Sequence, residues 1–218
     1  MAELPQTRRL NDVQRAKLEG DILVFVGEKT FVGENDFVVD DRVRVVVAAG
    51  AGLLVLCRDI AMFDHVQRVI VKPVVAENVG GHYQQMQTTL GDEVIDTFSV
   101  IELGWSAIEA SLANPRDGQN TLLHEFAHAF DDADGKLDAL MAHPHYERWR
   151  VLLHQLPLSH RIEGNFIYTE VIGDVNGPEL FASATELFFE CPKKLFDLDG
   201  SLFTTLVEIY GFDPRQVS

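Results

Sequence analysis

The chain has 218 residues, 46% of them hydrophobic, and a formal net charge of −16 at pH 7. That length suits a single domain around one main core, and the hydrophobic share is ample to fill it. The acidic balance excludes direct nucleic-acid binding, which needs clustered Lys and Arg against phosphate. The two cysteines, Cys57 and Cys191, exclude a disulfide framework.

Residues 1–9 carry no apolar segment of the kind a secretory signal needs, and two reduced thiols are expected in the cytoplasm. Residues 22–26 and 69–71 are short, β-branched apolar runs expected to form buried strands. Residues 42–56 are ambiguous by periodicity, because the first half favours a strand while the length and the alanines suit a buried helix. Gly80-Gly81 and Gly91-Asp92 divide the middle of the chain into turns or a hairpin. Residues 97–103 read as a strand that ends at Gly104-Trp105. Helices are expected over 120–134, capped by Asn120 or Thr121 and stopped by Gly135, and over 146–156. Residues 177–190 form a further helix, with Pro178 at its first position and Cys191-Pro192 closing it, and 203–210 a final one. The sum is an α+β fold over residues 1–218, a small sheet on a helical core.

Within 120–134 stands His124-Glu125-Phe126-Ala127-His128. Residues four apart on a helix lie one turn above each other, so two imidazoles at this spacing can share one metal ion. The glutamate between them lies beside that face, placed to take a proton from metal-activated water. Leu122, Leu123, Phe126, Ala127 and Phe130 make an apolar face. Thr121, His124, Glu125, His128, Asp131 and Asp132 make a polar stripe through it. A solvated face would carry Lys, Arg and Glu instead, so metal binding is favoured over two structural histidines.

A catalytic metal needs three protein ligands and one open position. Asp131 and Asp134 occupy the places where HExxHxxGxxH has its glycine and third histidine, which excludes that layout. The candidate third ligand is Glu179, at the start of a helix whose Leu180, Phe181, Ala184, Leu187 and Phe188 form a core face. A carboxylate there is expensive to bury unless paired or metal-bound, and a solvated N-terminal acid is the competing reading. Glu186, two turns on, and Asp131, one turn beyond His128, each stand where a carboxylate can orient a ligand histidine or simply face water. His143 and His145 flank Pro144 and read as surface histidines.

Two blocks, His124-Glu-Phe-Ala-His-Ala-Phe-Asp131 and Pro178-Glu-Leu-Phe-Ala-Ser-Ala-Thr-Glu-Leu-Phe-Phe189, resemble the Mlc titration factor A family of zinc peptidases. Residues 43–56, 68–73 and 99–105 are similar in order and character, so the resemblance covers roughly 10–212. It implies a zincin-like core related to the gluzincin peptidases and the anthrax lethal factor catalytic domain, with a helix over 43–56. It implies Zn²⁺ held by His124, His128 and Glu179, with Glu125 as the catalytic base of an aminopeptidase-like amide hydrolysis. An extended peptide substrate is then expected beside residues 97–103. The resemblance also implies binding to the repressor Mlc, which controls sugar-uptake genes. The alternative is a catalytically weak zinc protein that titrates this repressor. One departure stands out: the family tyrosine falls at Ile172, leaving Tyr168, or a histidine such as His160, as a replacement.

Overall fold

The computed structural model describes residues 4–75, 80–90, 93–134, 141–154 and 177–216. Helix α1 (Asp12–Glu28) starts at Asn11, whose side chain accepts from the Gln14 N–H while the Gln14 side chain accepts from the Asn11 N–H. Residues 22–26 lie inside this helix and not in a strand. Leu18, Ile22 and Phe25 are buried at helical spacing, whereas Leu23 and Val24 are exposed. A capped run of 17 residues with a buried stripe outweighs the β propensity of its Ile-Leu-Val-Phe-Val piece.

The ambiguous segment is a helix, α2 (Asp41–Leu54), capped by Asp40, whose Oδ1 accepts from the Val43 N–H at 2.9 Å. Every residue from 46 to 54 is buried, and small side chains make that possible. A Cβ on Gly50 would stand 2.6 Å from Leu122 Cγ, and one on Gly52 would stand 2.7 Å from Leu18 Cδ1. The two glycines therefore let α2 press against its neighbours on both sides.

Strands β1 (Thr30–Gly33), β2 (Val66–Lys72), β3 (Gly81–Leu90) and β4 (Glu93–Gly104) form a mixed sheet in the order β1-β2-β4-β3. β2 is parallel to β1 and β4, and β3 is antiparallel to β4. Val69 pairs with Ile101 and Val71 with Leu103, and all four side chains are fully buried on one face. The alternate positions carry Lys72 and Glu102, paired at 2.8 Å on the other face. The strands expected at 69–71 and 97–103 are present and longer, and the expected hairpin joins β3 to β4. The substrate position expected beside 97–103 is not available. β4 lies between β2 and β3, so over 99–103 both of its edges are taken by neighbouring strands. Among the described residues, the unpaired edge on this side of the sheet belongs to β3.

The remaining helices are α3 (Trp105–Ala113), α4 (Thr121–Asp134), α5 (Tyr146–His154), α6 (Gly177–Glu190), α7 (Pro192–Leu198) and α8 (Gly200–Tyr210). Asn120 Oδ1 accepts from the Leu123 N–H at 3.1 Å, which makes Asn120 the cap of α4. Gly135 and residues 155–156 lie outside the described residues. The sequence reading missed β1, α3 and α7. Pro192, taken as a stop, opens α7 at its first turn, where a missing N–H costs nothing.

Helix α4 is packed on several sides. Phe126 meets Phe25 and Phe63 edge-on, with centroids at 5.7 and 5.4 Å. Phe130 meets Tyr210 of α8 at 5.2 Å and stacks on Phe181 of α6 at 6.3 Å, so the last helix does pack on the pair before it. Among the described residues no helix is long and apolar enough to cross a membrane. The architecture is the α+β, zincin-like arrangement expected, a small mixed sheet on a helical core.

The Gly50–Leu122 contact yields a direct test. Gly50→Val places methyl groups into a fully packed α2–α4 junction and is expected to destabilise the fold by about 1–3 kcal/mol. Urea unfolding measures it. An unchanged midpoint would show that the helices do not meet at this glycine.

Candidate metal centre

Leu122, Leu123, Phe126, Ala127 and Phe130 of α4 are all buried, and of the polar stripe His124 and Glu125 are buried with them and need partners, whereas Asp132 is exposed. Helix α6 supplies them. Leu180, Phe181 and Ala184 are fully buried, and the stacking of Phe181 on Phe130 brings the first turn of α6 alongside the stripe. Glu179 Oε2 then lies 3.3 Å from His124 Nε2, and Glu179 Oε1 lies 3.4 Å from His128 Nε2. The two imidazoles sit edge to face with centroids at 4.9 Å.

One donor atom from each of His124, His128 and Glu179 lies within 4.8 Å of the others, near enough to hold a single metal ion. Among the described residues this is the only such group of three. Burial disfavours charge on Glu179, yet the two imidazoles outweigh it and hold the carboxyl well below the usual range. Burial likewise disfavours the His124 imidazolium, and Glu186, Glu179 and Glu125 together lift it well above the ordinary histidine value.

The open question of the orienting carboxylate is answered by Glu186. Its Oε1 stands 2.7 Å from His124 Nδ1, and its Oε2 accepts the backbone N–H of Asn120. A carboxylate at Nδ1 holds a proton there, so that Nε2 is the nitrogen turned to Glu179 and His128. One turn further along α6, the buried Glu190 accepts from Asn120 Nδ2 at 2.9 Å, from Gln6 Nε2 at 3.1 Å and from the Gly118 N–H at 3.0 Å. The carboxylates of α6 thus grip the start of α4, where unpaired N–H groups and the helix dipole favour negative charge.

Glu125 is buried between the stripe and β3, with 6% of its surface exposed. Burial raises its pKa above the ordinary carboxylate value against the pull of His124 and His128. β3 closes the other side. Tyr83 stacks on His128 at 6.4 Å, donates to Asp132 and shares a 2.8 Å hydrogen bond with Ser99 Oγ. Gln85 Nε2 donates to the same Asp132 carboxylate at 2.7 and 2.8 Å. The sequence reading missed Tyr83, Gln85, Asn120's second role and Glu190. The run His82-Tyr-Gln-Gln85 is polar throughout, so no alternation marks the two side chains that meet α4.

His143 stacks on Trp149 at 4.3 Å and His145 bonds to Ser201 Oγ at 3.0 Å, in line with a structural role for both. Tyr168, Ile172 and His160 lie outside the described residues.

Glu190 makes the site's stability depend on pH. Burial, then Glu186 and Asp117, push its pKa up to about 8, against the Asn120 and Gly118 donors. A folded-state pKa raised above the unfolded value means that the folded protein holds this proton more tightly. The associated stability is complete below 4.5 and is lost as pH rises towards 8. Glu190→Gln mimics the neutral acid and is expected to flatten this part of the stability profile, measured by urea unfolding across that interval. Parallel profiles for the two proteins would reject the assignment.

Two comparisons relate the chain to known proteins. Residues 1–211 match the family described as glucose-regulated metallo-peptidase M90. An uncharacterized protein of Synechocystis sp. (strain ATCC 27184 / PCC 6803 / Kazusa) is 32% identical across 97% of this chain and 81% of its own length. With its HExxH helix and its downstream glutamate brought together, the chain belongs to the glucose-regulated metallo-peptidase family M90.

Proposed function

We propose that this protein is a zinc-dependent peptidase in which His124, His128 and Glu179 hold Zn²⁺ and Glu125 is the general base. The observation that carries the reading is the spacing of the donor atoms. A tetrahedral zinc with ligands at roughly 2.0–2.1 Å separates them by about 3.3 Å. Each Glu179 oxygen lies against a different imidazole nitrogen, Oε2 at 3.3 Å from His124 and Oε1 at 3.4 Å from His128, and one donor atom from each of the three residues lies within 4.8 Å of the others, which is within small adjustments of that spacing. Two nitrogens and one carboxylate oxygen are also a donor set that leaves a position open for chemistry.

Zinc held there supplies a Lewis acid that activates water and polarises the scissile carbonyl. Glu125 accepts the proton of the attacking water and returns it to the leaving amine, a task its raised pKa favours. Glu186 fixes the His124 tautomer, and Tyr83 packs against the His128 ring. An extended peptide is best accommodated along the β3 edge, whose backbone groups are unpaired among the described residues. Aminopeptidase-like cleavage by a single domain, in a cytoplasm that keeps Cys57 and Cys191 free, completes the reading.

A second reading draws on the family's description as glucose-regulated. In it the protein titrates the repressor Mlc, and hydrolysis is secondary. Repressor binding that persists in an inactive, metal-loaded Glu125→Gln protein would favour it.

The peptidase reading is tested by metal analysis and peptide hydrolysis on the same samples. Wild-type protein is expected to hold one zinc and to show chelator-sensitive turnover. His128→Ala and Glu179→Ala should lose the metal, whereas Glu125→Gln should keep it and lose about 10²–10⁴-fold in kcat. A full equivalent of zinc in both ligand variants would remove the assignment.

A further inference from the structure

The two halves of the site meet along a line. Strand β3 and the segment entering it run lengthwise over α4. Gly80 lies against Thr121, Gly81 against Glu125, the Tyr83 ring against His128, and Tyr83 and Gln85 against Asp132. Helix residues advance about 1.5 Å each and strand residues about 3.3 Å each, so positions 121–132 and 80–85 cover the same length, about 16 Å. The match keeps strand and helix in step through the whole centre.

At one point on this line the separation is too small for any side chain. A Cβ built on Gly81 would stand 2.5 Å from Glu125 Cγ, 2.8 Å from Oε1 and 2.9 Å from Cδ. Real Cβ atoms do not approach so closely, so anything larger than glycine displaces the glutamate. Glu125 has little room to yield, being 94% covered, in a helix whose neighbouring apolar positions are packed. The backbone of β3 at Gly81 therefore closes one side of the Glu125 side chain, against its Cγ, Cδ and Oε1. Gly81 is itself fixed. It pairs with Leu103 of β4, and the carbonyl of Gly80 before it accepts the Gly104 N–H at 2.8 Å. Such an arrangement denies the carboxylate alternative rotamers on one side.

We propose that Gly81 is a positioning residue for hydrolysis, and that its missing side chain is what sets the Glu125 carboxylate at its working position beside His124 and His128. This rests on the peptidase reading above. Gly81 touches neither substrate nor metal in this role and acts through Glu125 alone. Misplacing a catalytic group by an ångström loses about a hundredfold in rate. The expected signature is a loss in kcat at preserved metal content, with KM little changed.

The test uses the full chain. Gly81→Ala is expected to bind one equivalent of zinc, to lose about a hundredfold in kcat on a chromogenic peptide, and to keep its KM. Its crystal structure should show the Glu125 carboxylate turned away from its wild-type position. Gly80→Ala, which presses on Thr121 and Ala107 instead, serves as the comparison and should leave that carboxylate in place. An undiminished kcat, or a Glu125 unmoved in Gly81→Ala, overturns the proposal. A wild-type protein without chelator-sensitive turnover defeats the peptidase reading, while the crystal structure still decides whether Gly81 sets Glu125. If Gly81→Ala does not fold, the double variant with Glu125→Ala decides. Recovery of folding supports the contact as the cause, and a double variant that also fails to fold overturns it.

Discussion

The structure depends on burying a helix that is polar along one side. Helix α4 has apolar residues that must face a core and a stripe of His, Glu and Asp that must not be left without partners there. The fold resolves this by surrounding α4 with surfaces of two kinds. Phe25 and Phe63 cover the apolar side near Phe126, and Phe181 and Tyr210 cover it near Phe130. Among the described residues, the polar side meets Glu179 and Glu186 from α6, and Gly81, Tyr83 and Gln85 from β3. Small residues of α2 allow the close approach at Leu122 that completes the enclosure.

Helix α6 does more than donate one carboxylate. Its glutamates at 179, 186 and 190 project along one side at helical spacing and meet α4 at successive heights. The first reaches both imidazoles, the second holds His124 and the N–H of its own helix cap, and the third ties that cap to the N-terminal segment through Gln6. Position and protonation of His124 are thus set by the same contacts that hold the two helices together. Loss of such an outer partner commonly costs 10–100-fold in metal affinity, so the clamp belongs to the chemistry as much as to the fold.

Much of this was legible in the sequence, for identifiable reasons. The HExxH helix, its Asn120 cap and the Glu179 helix are local patterns, and local patterns are what periodicity and capping rules read well. The strand expected at 22–26 failed because five β-prone residues sat inside a longer capped helix whose buried stripe lies at 18, 22 and 25. The substrate edge was misplaced because strand order is a property of pairing across the chain, and residues 97–103 look the same whether central or peripheral. Glu186 and Asp131 were equal candidates on spacing. Only the relative rotation of α4 and α6 brings Glu186 onto His124. Gly81 read as a turn signal, since nothing in a sequence records which glutamate rests against it.

The charge balance of the centre points in the same direction as its geometry. Glu125, Glu179 and Glu186 crowd around His124 and His128 in a region mostly closed to water, within a chain that already carries a net charge of −16. The surrounding carboxylates drive His124 towards its charged form. In the proposed metal-bound state a divalent cation takes the place of that proton with twice its charge. Metal binding and folding of the α4–α6 junction are then linked, because the donors converge only in the packed state. The position of Glu179 in the first turn of α6 adds a favourable helix dipole to the same carboxylate. Acidic residues that would be a liability in an empty core become an assembled ligand set once a cation occupies it, and the helix packing is what assembles them.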